Sequence, residues 1–161
     1  MRHFGSPLHL IRRFVWTLRA RPLKPGEQAV AAAVMRPGER EAFWSQGPAD
    51  QRHAVETALR VMAAAPGRPD LARAALLHDV AKRHARLGPI GRSLATVAGV
   101  LRLPAGRRWS TYLDHGPVAA DELAAAGAEP LVVAYARHHH RGRPDGVAED
   151  DWRILTAADD V

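Results

Sequence analysis

Cysteine is absent from this 161-residue chain. That excludes a disulfide framework and any thiolate metal site, so a metal bound here is held by imidazoles and carboxylates, donors that suit Fe, Mn, Co, Ni, Zn or Mg. Lysine is almost absent too: only Lys24 and Lys82 stand among the 23 basic side chains. A lysine inside an apolar stretch is therefore a distinctive feature. Aromatic residues make up only 6%. No apolar run approaches the ~18 residues that a membrane span requires, and Arg12-Arg13 interrupt the only stretch resembling the apolar core of a signal peptide. The sequence thus carries no recognisable export signal and predicts a cytoplasmic protein. Alternating strand patterns, internal repeats and low-complexity tracts are also missing.

What remains is helical. The chain has one domain's length, is 47% apolar and is rich in alanine, which predicts an all-α fold with a core of its own. A net charge of +6 and a pI near 10.9 imply a positive surface that suits nucleotides, nucleic acid or an anionic membrane. Residues 1–48 read as an N-terminal helical extension and residues 49–161 as the main domain. In the extension, Leu8, Ile11, Phe14, Val15 and Leu18 share a helical face over residues 1–24, with Arg12, Arg13, Arg19 and Arg21 around it. Such a basic helix more often packs on its own domain than on a bilayer. Short helices follow over Glu27–Met35 and Glu39–Trp44, and Phe14, Trp16, Phe43 and Trp44 are expected to cap the core.

The chain is organised around Leu76-Leu77-His78-Asp79-Val80-Ala81-Lys82. Pro69-Asp70 predicts a helix start with Asp70 as N-cap, and Leu71, Ala74, Ala75 and His78 recur at helical spacing. On one helix, His78 and Asp79 are about 100° apart and can reach one ion. Lys82, four residues after His78, projects from the same side. Taken alone, the dipeptide better suits an ordinary helix end with Lys82 as a solvated charge, and the rest of the chain is what overturns that reading.

Other segments supply company. A helix over Asp50–Ala65, with Asp50 as N-cap and a wide apolar arc, is expected at the centre of the fold, with His53 outside the arc. Arg83–Gly91 reads as a link. Ser93–Leu101 reads as a helix with Leu94, Val97, Ala98 and Leu101 inward, and Pro104–Trp109 as a basic loop containing Arg107 and Arg108. Pro117 suits a first helical turn, placing His115 at its cap. A helix over Glu129–His140 ends in His138-His139-His140, and the last helix runs from Glu149-Asp150-Asp151 to Asp159-Asp160. Five helices therefore each deliver a His or Asp near an end: His53, His78-Asp79, His115, the histidine triplet and Asp159. That fits a preassembled N/O metal site. Six such ligands suffice for two ions, the aspartate beside a histidine can bridge them, and a two-metal site suits in-line displacement at phosphorus.

The order His53, His78-Asp79, Asp159 resembles the HD superfamily of metal-dependent phosphohydrolases over about residues 51–161. LLHDVAK at 76–82 carries the match, while HGPVAADEL at 115–123, HHRGRP at 139–144 and AADD at 157–160 look like its symmetrical dinucleoside-tetraphosphate hydrolase branch. The resemblance implies a compact all-helical bundle and a dinuclear iron or manganese centre held by His53, His78, Asp79, His115, His139 and Asp159. It selects His139 from the triplet through the spacing H-x-x-G-R-P. Asp79 would bridge the ions, and Lys82, Arg143 and either Arg107 or Arg108 would contact the phosphate of a nucleotide or dinucleotide. The same ligand pattern would also serve a non-catalytic metal-containing domain that senses nucleotides or acts as a scaffold, and turnover separates the two. The sequence leaves oligomeric state open.

Overall fold

The computed structural model describes residues 20–101, 103–104 and 106–160. The amphipathic face of residues 1–19, with Phe14 and Trp16, lies outside the described residues. Among those described, every regular element is a helix: α1 (Pro25–Val34), α2 (Arg40–Trp44), α3 (Pro48–Ala64), α4 (Pro69–Leu77), α5 (Pro89–Val100), α6 (Arg107–Leu113), α7 (His115–Ala125), α8 (Pro130–His138) and α9 (Glu149–Asp159). Two 3-10 helices, Pro37–Glu39 and Val80–Ala85, lie between them. No helix of the described residues is long and apolar enough to cross a membrane.

Five of these helices open on proline; α1, α3, α4 and α5 start two to four residues before the expected position, and α8 starts at Pro130, directly after the expected Glu129. Proline is a breaker inside a helix. At the first position its missing N–H has no partner to lose and its φ is already helical. Asp50 and Asp70 accordingly sit in the first turns of α3 and α4 and are not N-caps, where their charge still favours the helix dipole. Asp70 accepts two hydrogen bonds from Arg68, which also grips Asp151 at the start of α9.

The central helix is α4, not α3. Leu71, Ala72, Ala74, Ala75, Leu76 and Leu77 are all buried, the pattern of a helix covered on every side. Packed against it are α1, α3, α8 and α9. On α3 the buried face is Ala54, Val55, Ala58 and Val61, while Leu59 and Met62 are 41% and 42% exposed. The described part of the N-terminal segment adds Leu23, Ala31, Val34, Met35 and Phe43 to the same core, but Trp44 lies largely exposed.

Three further expectations are corrected. α4 ends at Leu77, so His78 and Asp79 stand just past the helix, and Lys82 belongs to the 3-10 helix that follows. The supposed link over Arg83–Gly91 contains the end of that 3-10 helix, closed by Arg86 in the left-handed conformation (φ 48°), and the start of α5. The supposed basic loop at Arg107 and Arg108 is the first turn of α6. Finally, α5 buries Ala95 and Ala98 while Leu94, Val97 and Leu101 face out. Its small residues, and not its large ones, make the close approach: Gly99 faces Leu113 of α6.

Candidate metal centre

Helix ends build this site. The last carbonyls of a helix have no partner within it, and here three of them are used in the same way. The Nδ1 of His78, at the end of α4, lies 2.7 Å from the Ala75 carbonyl. That of His115, just past α6, lies 2.7 Å from the Tyr112 carbonyl. That of His139, at the end of α8, lies 2.9 Å from the Ala136 carbonyl. A carbonyl can only accept, so each Nδ1 carries the proton and donates. Ring orientation is thereby set in all three, and each Nε2 points away from its own helix.

Those Nε2 atoms converge on carboxylates. Asp79 Oδ1 lies 2.8 Å from His115 Nε2 and 3.4 Å from His139 Nε2. His78 Nε2 lies 3.4 Å from Asp79 Oδ2 and 3.3 Å from Asp159 Oδ1, and His53 Nε2 lies 2.9 Å from Asp159 Oδ1. A ring nitrogen and a carboxylate oxygen this close share a cation, a proton or a metal ion: His115 and His53 stand at hydrogen-bond distance from Asp79 and Asp159. The Nε2 atoms of His78 and His139 are buried without any hydrogen-bond partner. Backbone-oriented imidazoles with a lone pair aimed into a carboxylate cluster are what a metal ligand set requires. Two overlapping groups could hold an ion: Asp79, His115, His139 and His140, and His53, His78 and Asp79. Asp79 is common to both.

The expected ligands His53, His78, Asp79, His115, His139 and Asp159 are thus brought together from α3, the end of α4, the α6–α7 junction, the end of α8 and the end of α9. Of the expected phosphate contacts, only Lys82 reaches the cluster. It is 5% exposed and its ammonium donates to Asp79 Oδ2, so it is no solvated helix charge. Arg143 is exposed and donates to the Val147 carbonyl of its own loop at 2.7 Å. Arg107 is exposed in the first turn of α6, and Arg108 donates to the carbonyls of Ala85 and Arg86, tying α6 to the 3-10 helix of Lys82. Arg83 and His84 of that 3-10 helix both engage Glu122 on α7.

Electrostatics follow from burial and proximity. Burial opposes the charge on Asp79, but the nearby His78 and Lys82 and the contacts of the His115 and His139 rings outweigh it and hold its carboxyl well below the usual range. Burial likewise opposes the charge on Asp159, and His78 and His53 overcome it. For His78, burial disfavours the imidazolium, yet the two carboxylates raise its pKa to about 10. Burial pushes His139 down to about 4 against the pull of Asp79.

Two contributors were not anticipated. His140 stacks on His139 with ring centroids 3.9 Å apart and joins the second candidate group. Its place beside His139 in the triplet was the available signal. Tyr135 lies beneath the site, 5.6 Å from the His78 ring and 5.9 Å from the His139 ring, and donates to the Leu155 carbonyl of α9. It sits one turn before His139 on the buried face of α8, a position indistinguishable from ordinary core in the sequence. A cleft beside the cluster is lined by Leu113, Pro117, Arg137, His139, His140 and Arg141.

Gly116 makes this geometry possible. A Cβ there would stand 2.9 Å from the Ala136 carbonyl oxygen and 3.3 Å from that of Arg137. The first of these is the acceptor that orients His139. Gly116→Ala is therefore expected to part α7 from α8, lowering stability by about 1–3 kcal/mol and weakening metal binding with every ligand retained. Thermal melting and metal titration of the variant check this, and wild-type metal affinity would contradict it. No family model matches the chain, and neither a curated protein nor a solved structure does.

Proposed function

We propose that this protein is an HD-type metal-dependent phosphohydrolase that cleaves a phosphoester or phosphoanhydride bond of a nucleotide or dinucleotide. One observation carries the reading: three imidazoles fixed by backbone carbonyls turn their Nε2 atoms toward the buried Asp79 and the half-buried Asp159, with a lysine at Asp79. The order of those ligands along the chain, with the LLHDVAK run, supports the HD assignment.

The donor set fits two divalent transition ions, iron or manganese first, with Zn, Co, Ni or Mg as alternatives. His53, His78 and Asp159 would hold one, His115 and His139 the other, and Asp79 would bridge them. Ions held there supply Lewis-acid polarisation of phosphoryl oxygens and activation of water. The chain's own part is orientation and charge. The Ala75, Tyr112 and Ala136 carbonyls keep the three rings in register. Lys82 places a cation where negative charge builds on the phosphoryl group in the transition state.

The experiment is elemental analysis of protein purified without a histidine tag, followed by phosphate-release assays across nucleotides and dinucleotides, with and without chelator. Up to two transition ions per chain are expected. His115→Ala and His139→Ala are expected to lose the second ion while retaining more of the first. No bound metal under any reconstitution condition would overturn the site. Metal without turnover on any phosphate ester would favour a nucleotide-sensing or scaffold domain instead.

A further inference from the structure

The apolar face of α5 is turned outward. Ile90, Leu94, Val97 and Leu101 are 66%, 52%, 46% and 61% exposed, and Leu103 beyond the helix is 54% exposed. At about 100° per residue the four helical positions fall within a stripe roughly 60° wide. The opposite side of the helix, Ala95, Ala98 and Gly99, is the one applied to the protein. Contiguous exposed apolar surface of this kind marks an interaction site.

The charge around it is of one sign. From Val80 to Leu113 the chain contains no aspartate or glutamate. Lys82 and Arg83 are turned to Asp79 and Glu122. Arg86, Arg107 and Arg108 are exposed before and after α5, and the same stretch of sequence also contains Arg92 and Arg102.

We propose that α5 and the start of α6 form a docking surface for an anionic lipid bilayer. An apolar stripe on a segment whose charged side chains are all basic is the composition of a helix that lies in the headgroup layer, its apolar side chains among the acyl chains and its arginines at lipid phosphates. A second copy of the chain fits the face poorly, because it would bring two basic surrounds together without any acidic partner. A nucleic acid would meet the arginines but leave the apolar stripe without an apolar counterpart. The surface adjoins the metal centre through α6, which packs against the 3-10 helix of Lys82. It is independent of the proposed chemistry and stands or falls without it.

The absence of cysteine provides a direct test on the full chain. Val97→Cys, labelled with an environment-sensitive fluorophore, is mixed with vesicles of phosphatidylglycerol and phosphatidylcholine in equal amounts, or of phosphatidylcholine alone. Arg153→Cys on α9 serves as control, Arg153 having a side chain 74% exposed. The label at position 97 is expected to shift to the blue with the anionic vesicles and to recover with salt, while the label at 153 stays unchanged. In vesicle flotation, unlabelled Leu94→Gln/Leu101→Gln is expected to bind at least roughly tenfold more weakly than wild type. Its circular dichroism is expected to be unchanged, because both side chains already face solvent. Equal flotation of wild type and double variant, or no shift at position 97, would overturn the proposal. So would a shift without lipid that tracks protein concentration and a dimer mass in light scattering, since that would identify a second copy as the occupant.

Discussion

Asp79→Asn is expected to strip the protein of both bound ions and of all phosphate release. The carboxylate is the one group common to both candidate ion groups, and an amide cannot supply the negative charge that two adjacent cations need between them. A second effect follows from its surroundings. Asp79 is 3% exposed and lies against His78, His115, His139 and the Lys82 ammonium. Removing its charge strands a buried lysine, and breaking such a pair from one side lowers stability by about 3–5 kcal/mol. The metal-free variant should therefore melt well below wild type. Loss of metal through loss of the fold is separated from loss of the ligand by Asp79→Asn/Lys82→Met, which removes both charges. That double variant is expected to regain most of the melting temperature and none of the metal. Elemental analysis and thermal melting of the three proteins give the result, and two ions retained in either variant would refute the bridging role.

Reading the sequence located the ligands better than it located the elements that hold them. His53, His78-Asp79, His115, His139 and Asp159 are legible because polar metal ligands are rare punctuation in an Ala/Leu-rich chain, and their spacing places each near a helix end. Four helix starts were misread because proline has opposite meanings inside a helix and at its first position, and α1, α3, α4 and α5 use the latter. The wide apolar arc of α3 suggested a central helix, but periodicity counts apolar residues without saying whether a partner exists to cover them. Leu59 and Met62 have none sufficient to bury them. The same blindness inverted α5, where large residues mimic a core face although alanines and a glycine make the contact. Tyr135 and the three helix-end carbonyls were out of reach because a backbone acceptor has no letter in the sequence.

Lys82 is the residue for which structure changed the expectation most, and its replacement is expected to separate metal binding from catalysis. A solvated helix charge would change stability by no more than about 0.5 kcal/mol when removed, but Lys82 is buried and its ammonium holds Asp79 Oδ2. In the metal-free protein it acts as the counter-cation of that carboxylate, so Lys82→Met should lower the metal-free melting temperature by leaving Asp79 less compensated. The same contact makes lysine a competitor for the oxygen that a bridging ligand must offer. Two positive charges at one carboxylate repel, so metal affinity in Lys82→Met should rise by at least about tenfold at an effective dielectric near 20. Under the proposed chemistry, ions bound at Asp79 would displace the ammonium and free it to meet a bound phosphate, where it would stabilise charge formed only in the transition state. At matched metal loading kcat/KM should then fall by roughly 100-fold, about 2.7 kcal/mol. Lys82→Arg should recover only part of this, because a planar fork does not replace a compact ammonium in a tight site. Metal titration, melting with and without chelator, and steady-state phosphate release on wild type, Lys82→Met and Lys82→Arg provide the three readouts. Tighter metal binding with slower turnover is the signature of a lysine that exchanges a carboxylate for a phosphate. Weaker metal binding, or equal kcat/KM in all three proteins, would reduce Lys82 to a buried counter-ion and remove the link between the ion cluster and phosphate chemistry.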